Sequence, residues 1–262
     1  MSTSEHVAPK AKKSVALSGI AAGDTAICTV GQSGNDLHYR GYDIRELAEQ
    51  ATFEEVAWLL TRETLPSAAE LDGYRQRLRT FRALPAGVLE ALEVVPASAH
   101  PMDVLRVGSA VLGTVFPERQ PHSIDSARDI ADRLIAALGG ILCYWYHYTH
   151  HGRRIDTDSD AQSTATHVLK LLHGSTPLPK HARALDVTLI LYAEHEFNAS
   201  TFTARVIAGT GTDMYSAVDG AIGALRGPKH GGANEVAFDI QARYRNPDEA
   251  ESDIRRRLSE RE

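Results

Sequence analysis

Two runs of this chain decide how it is read: Thr188-Leu189-Ile190-Leu191-Tyr192-Ala193-Glu194-His195-Glu196-Phe197-Asn198-Ala199-Ser200 and Gly220-Ala221-Ile222-Gly223-Ala224-Leu225-Arg226-Gly227-Pro228-Lys229-His230-Gly231-Gly232-Ala233-Asn234. Around them, apolar residues recur at helical spacing over 183–193, 201–208 and 214–225. Gly209-Thr210-Gly211-Thr212 lacks the Gly-Lys-Ser/Thr of a phosphate loop and reads as the turn between two of these helices. Helices joined by short connections pack antiparallel in a bundle-like domain.

The helical period extends towards the N-terminus. It covers 165–172, and a segment at 125–138 that runs on past Gly139-Gly140 into Tyr144, Trp145, Tyr146 and Tyr148. It also covers 102–115, with Pro101 near its start and Pro117 just past its end. A helix begins at Ser67 or Ala68 and carries Leu71, Tyr74 and Leu78. Thr52-Phe53-Glu54-Glu55 has the spacing of a capping box, and Ile44, Leu47 and Ala48 share one helical face. Before these, residues 15–40 mix β-branched residues with glycines. They predict short strands, one around 26–30, with a turn at Ser33-Gly34-Asn35. The polar stretch 151–163 reads as a surface loop, and 248–262 as a charged helix with Ile254 and Leu258 on one side and no Gly or Pro stop. The fold class is therefore mainly α, a large helical domain with a small N-terminal β element. Residues 1–13 are expected to be a disordered tail or arm, 14–227 the large domain, and 228–262 an active-site loop and the start of a truncated small domain.

Composition narrows the function. The 262 residues carry 28 Lys+Arg against 34 Asp+Glu, a net charge of −6, which argues against a nucleic-acid binder relying on bulk electrostatics. No run of 18 apolar residues occurs, so no membrane partner is expected. Two cysteines, Cys28 and Cys143, exclude a disulfide scaffold, and with no secretory leader a cytoplasmic location is expected.

Two of the twelve histidines stand out. His195 is expected to close the apolar helix that precedes it, where the negative end of the helix dipole favours an imidazolium. Tyr192, three residues earlier, would share its face. The simpler reading is a capping histidine beside a core tyrosine. His230 lies between Gly227-Pro228 and Gly231-Gly232, where backbone can approach a ligand closely, and imidazole is suited to proton transfer near neutrality. The simpler reading is a turn histidine. Ala217, Gly220, Ala221 and Ala224 form a small-residue helical face suited either to a dimer contact or to an internal one. His147, His150 and His151 read as surface or aromatic-cluster residues, and no metal site is expected.

Together, Tyr192 to Gly211 and Gly220 to Glu235, with Asn35-Asp-Leu-His-Tyr-Arg-Gly-Tyr-Asp-Ile44 and Tyr144-Trp-Tyr-His-Tyr148, closely resemble the citrate synthase family, most of all its bacterial 2-methylcitrate synthases. The resemblance spans essentially the whole chain apart from the tail. It implies a homodimeric transferase that condenses oxaloacetate with propionyl-CoA to give 2-methylcitrate in propionate catabolism, or with acetyl-CoA to give citrate. The acyl-CoA is a substrate, and no resident cofactor is implied. His230 then matches the histidine that hydrogen-bonds the thioester carbonyl, His195 one that holds oxaloacetate, and Tyr192 a residue shaping the acyl pocket.

Family members continue well past Glu262, so the chain is expected to lack a second catalytic histidine, the proton-abstracting aspartate, and arginines for carboxylate and CoA. Asp239, Asp248 and Asp253 do not match that aspartate. The chain alone is thus expected to turn over little or not at all. The alternative is an inactive remnant or a dimerisation partner of a full-length synthase.

Overall fold

Twelve helices and one antiparallel sheet make up the described residues of this computed structural model, which are 23–260 apart from 32, 33 and 35. The expected arm over 1–13 and two residues of the expected turn, Ser33 and Asn35, lie outside them. The sheet runs β1 (Cys28–Val30), β2 (Leu37–Tyr39) and β3 (Tyr42–Asp43) in that order. Cys28 pairs with Tyr39 and Val30 with Leu37, so the strand expected near 26–30 does turn back on itself. Arg40 and Gly41, both at positive φ (50° and 89°), make the tight turn between β2 and β3.

Local chemistry sets the helix starts. α1 (Ile44–Gln50) is capped by Asp43. At α2 (Phe53–Arg62) the Glu55 carboxylate accepts from both the N–H and the hydroxyl of Thr52, each at 2.7 Å. Ser67 and Glu70 cap α3 (Ala68–Thr80) in the same reciprocal way. α4 (Ala86–Glu93) goes beyond the sequence reading: it is eight residues long and buries only Val88 and Leu92, too few to show a period. Then come α5 (Pro101–Val115) and α6 (Ile124–His151), which passes through Gly139-Gly140 as expected. A Cβ on Gly139 would lie 2.5 Å from Val168, so this glycine is what lets α7 (Thr164–His173) pack there. α8 (Pro179–Leu191), α9 (Ala199–Ala208), α10 (Met214–Leu225), α11 (Ala233–Gln241) and α12 (Pro247–Glu260) complete the chain. α11 is the second unforeseen helix.

The largest core joins α4, α5, α6 and α10 through Val88, Leu92, Val104, Leu112, Ile141, Tyr144, Trp145 and Tyr215. A second one places Cys28 and Tyr39 of the sheet against Leu47, Val56, Leu59 and Ile190. Of the expected surface loop 151–163, His151 instead ends α6, and the remaining residues are mostly exposed yet fastened. Arg82, 2% exposed, donates to the carbonyls of Ser159 (3.1 Å) and Ala161 (2.6 Å), and the Leu84 N–H donates to Thr157 Oγ1. The small-residue face of α10 serves an internal contact at Gly220, where a Cβ would collide with Ile207 of α9. His147 is buried in α6, with Nε2 2.9 Å from the Leu171 carbonyl.

Candidate functional site

α9 and α10 pack side by side and antiparallel, so the residues entering α9 and those leaving α10 lie at one end of the pair. His195 is in the first of these connections and His230 in the second.

The sequence reading puts His195 at the end of a helix, one turn after Tyr192. That expectation is corrected here. α8 ends at Leu191 with Tyr192 as its cap, and His195 stands exposed in irregular backbone beyond it. The helix-dipole argument and the shared face with Tyr192 both lapse. Tyr192 is 71% exposed, and among the described residues no hydrogen bond or ring contact joins it to either histidine. The cause of the break is a buried hydroxyl. Tyr39, fully buried on β2, sets its Oη 3.1 Å from the carbonyls of both Ile190 and Glu194 and accepts the Glu194 N–H at 3.2 Å. Burial pushes its phenol up to about 12, so it keeps the proton that it donates.

The rest of the loop is tied down as firmly. The Val30 N–H donates to Glu196 Oε1 at 3.0 Å, and Glu196 holds a left-handed φ of 51°. Burial raises the Glu194 carboxyl, an effect opposed by the backbone N–H groups of His195 and Glu196. Asn198 Oδ1 accepts from the N–H groups of Ser200 (2.9 Å) and Thr201 (3.0 Å) and starts α9.

His230 lies in a tight turn. The Gly227 carbonyl accepts from the N–H groups of His230 (2.9 Å) and Gly232 (3.1 Å). The glycines after His230 answer a need of the fold itself: a Cβ on Gly231 would lie 2.4 Å from the Leu225 carbonyl oxygen. Both flanks of the turn are pinned to the start of α5. Arg226 Nε donates to Asp103 at 2.9 Å, and His100 Nε2 lies 3.0 Å from Glu235. His100 Nδ1 accepts the Met102 N–H at 3.1 Å, which leaves Nε2 to carry the proton towards the carboxylate.

Ser200, on the first turn of α9, places its Oγ 2.9 Å from His230 Nε2. The two connections are thus joined by a side-chain hydrogen bond. When the serine hydroxyl donates, the imidazole proton stays on Nδ1 and a neutral His230 is a hydrogen-bond donor, which suits an oxygen gaining negative charge. The sequence reading gives Ser200, Tyr39 and His100 no role at the site. Ser200 directly after an N-cap reads as helix-start chemistry, and nothing in its neighbourhood announces a partner thirty positions away. Among the described residues, no three His, Cys, Asp or Glu side chains are grouped to hold a metal, and no helix is long and apolar enough to cross a membrane.

This helical architecture, with two histidine-bearing connections meeting at one end of a helix pair, is that of a known group of proteins. A family model described as "Citrate synthase, C-terminal domain" matches residues 16–262, and the chain belongs to the citrate synthase family. It is 55% identical over 224 residues to a 2-methylcitrate synthase of Shewanella oneidensis, an alignment covering 86% of this chain and 59% of that one. The citrate synthase of Thermotoga maritima superposes with a TM-score of 0.79 at 33% identity, over 94% of this chain and 64% of that one. The citrate synthase of Thermoplasma acidophilum, solved as a ternary complex with carboxymethyl coenzyme A and oxaloacetate, gives 0.80 at 26% identity, over 87% and 60%. The chain therefore spans between 59% and 64% of the length of these relatives.

Proposed function

We propose that the chain is the large helical part of a 2-methylcitrate synthase, which joins propionyl-CoA to oxaloacetate and releases CoA on hydrolysis, with acetyl-CoA to citrate as a related activity. The observation that carries this is the Ser200–His230 hydrogen bond beside the His195 loop. In this reading His230 donates to the thioester oxygen as the α-carbon passes its proton to a carboxylate base, the aspartate that the family resemblance places past Glu262. The resulting enol carbon attacks the ketone of oxaloacetate, which His195 holds, and water then cleaves the thioester. A preorganised donor of this kind is worth about 10²–10³ in rate. The exposed ring of Tyr192 would line the acyl pocket.

Residues 14–227 would form the large domain, and 228–262 the His230 turn and the opening of the small one. The acyl-CoA enters as substrate, with no resident cofactor. Apolar Phe202 and Val206, exposed on α9, are surface that a second copy would cover in a cytoplasmic homodimer. A pocket that distinguishes propionyl from acetyl by one methylene gains only about 1–3 kcal/mol, so both substrates belong in the test. Calorimetric titration with oxaloacetate, followed by titration with each acyl-CoA, tests the reading, since the chain alone is expected to turn over little or not at all. Oxaloacetate binding weakened by His195→Ala, and tighter binding of propionyl-CoA than of acetyl-CoA, support it. A chain that binds neither oxaloacetate nor acyl-CoA overturns it.

A further inference from the structure

The three-stranded sheet lies against the loop that carries His195, and two of its groups reach that loop directly. Tyr39 Oη, at the end of β2, bonds both the carbonyl and the N–H of Glu194, the residue just before His195. The β1 edge reaches the residue just after it, through the Val30 N–H on Glu196 Oε1. These contacts bridge 155 and 166 positions of sequence and bracket His195 on both sides. Between them Glu196 holds a left-handed backbone, a conformation that a non-glycine residue keeps only when its surroundings over-determine it. The Tyr39 ring is fully buried against Ile190 and the β1–α2 core, so the hydroxyl has a fixed position from which to hold the loop.

We infer that Tyr39, with the Glu196–Val30 contact, is a positioning residue that sets where the His195 imidazole stands, so that affinity for a 2-oxodicarboxylate is controlled from the N-terminal hairpin. The inference rests on the proposed role of His195 only for its ligand. The geometric part stands apart from it. Tyr39→Phe removes the hydroxyl and keeps the packed ring, so the fold persists while the loop loses its central tie. Glu196→Ala removes the second tie from a half-buried loop residue, and Glu196→Gln keeps an acceptor oxygen for the Val30 N–H.

The test uses the 262-residue chain labelled with ¹⁵N-histidine, with the His195 and His230 ring signals assigned by His195→Gln and His230→Gln. In Tyr39→Phe and in Glu196→Ala the His195 ring signal is expected to shift or broaden while that of His230 stays in place, and Glu196→Gln to restore it. Oxaloacetate affinity is expected to fall about tenfold in the first two variants, with CoA affinity unchanged. A folded Tyr39→Phe or Glu196→Ala protein whose His195 signal is unmoved, or moves together with that of His230, overturns the inference. If Tyr39→Phe does not fold, the two Glu196 variants decide. Wild-type chain that binds no oxaloacetate removes the proposed function, while the ring signals still decide the positioning role.

Discussion

Ser200 Oγ and His230 Nε2 lie 2.9 Å apart, a hydrogen bond between the first turn of α9 and the turn that follows α10. This bond holds the ring plane of His230, and when the serine hydroxyl is the donor it keeps the imidazole proton on Nδ1. Ser200→Ala leaves the Asn198 cap in place, since that cap uses the backbone N–H of residue 200. The expected outcome is a loss of about 1 kcal/mol of ring anchoring, read as a roughly five- to tenfold weaker acyl-CoA interaction with oxaloacetate affinity unchanged. Parallel calorimetric titrations check it. Equal losses for both ligands would place the serine in general folding rather than at His230.

The turn around His230 depends on one missing side chain. At Gly231 a Cβ would meet a backbone carbonyl, Leu225 O, at 2.4 Å, and backbone cannot swing aside as a side-chain tip can. Gly231→Ala is expected to destabilise the protein by about 1–3 kcal/mol and to open the Gly227–His230 turn. Urea unfolding gives the first quantity, and loss of amide protection at His230 and Gly232 the second. A variant of wild-type stability with protected amides would show that the turn can relax around the methyl.

Much of the fold is legible in the sequence where local chemistry decides it. Thr52 with Glu55 announces α2, Ser67 marks the start of α3, and the apolar period of α6 outlasts its two glycines. α4 is too short for its two buried residues to form a pattern, and α11 hides behind Gly231-Gly232, which read as loop. The end of α8 is illegible for a different reason: Tyr39, on a strand far away in sequence, takes the carbonyls of Ile190 and Glu194 and turns the chain. The charged segment 152–163 reads as free surface because the cation that fastens it, Arg82, lies on a different segment. At the candidate site, the two histidines are visible as residue types in glycine- and Asn/Ser-rich runs. Their neighbours Ser200, Tyr39 and His100 are tertiary facts.

His167 makes the fold acid-sensitive. It is 1% exposed on α7, with Nδ1 2.9 Å from Ser159 Oγ, and burial, reinforced by the cations of Arg82 and Lys170, lowers its titration from 6.5 to about 4. As pH falls from 6.5 to about 4, the unfolded chain takes up a proton there that the native state refuses, so stability drops. The contribution is about 3 kcal/mol across that window and levels off below it. Urea midpoints of wild type and His167→Gln between pH 7 and 4 check this. The gap between the two curves is expected to shift in favour of the variant as pH falls, and parallel curves would refute the assignment.

Arg82 links that titration to the polar segment above it. Its guanidinium, lowered in pKa chiefly by burial, is the donor on which the Ser159 and Ala161 carbonyls rely. Arg82→Met keeps the stem volume but leaves those acceptors unpaired, at about 1–3 kcal/mol for each group that stays buried. The 152–163 segment then keeps the Thr157–Leu84 and Ser159–His167 hydrogen bonds and the Arg154–Glu93 and Lys170–Asp160 ion pairs but loses its buried anchor, and proteolysis within it is expected to accelerate. The same substitution removes one of the cations that oppose protonation of His167, so its titration should move back towards 6.5 and the acid sensitivity should shrink. Unfolding midpoints across the same pH window, alongside the proteolysis rates, test both halves. A variant that is destabilised yet keeps the wild-type pH slope would confine Arg82 to fastening the loop.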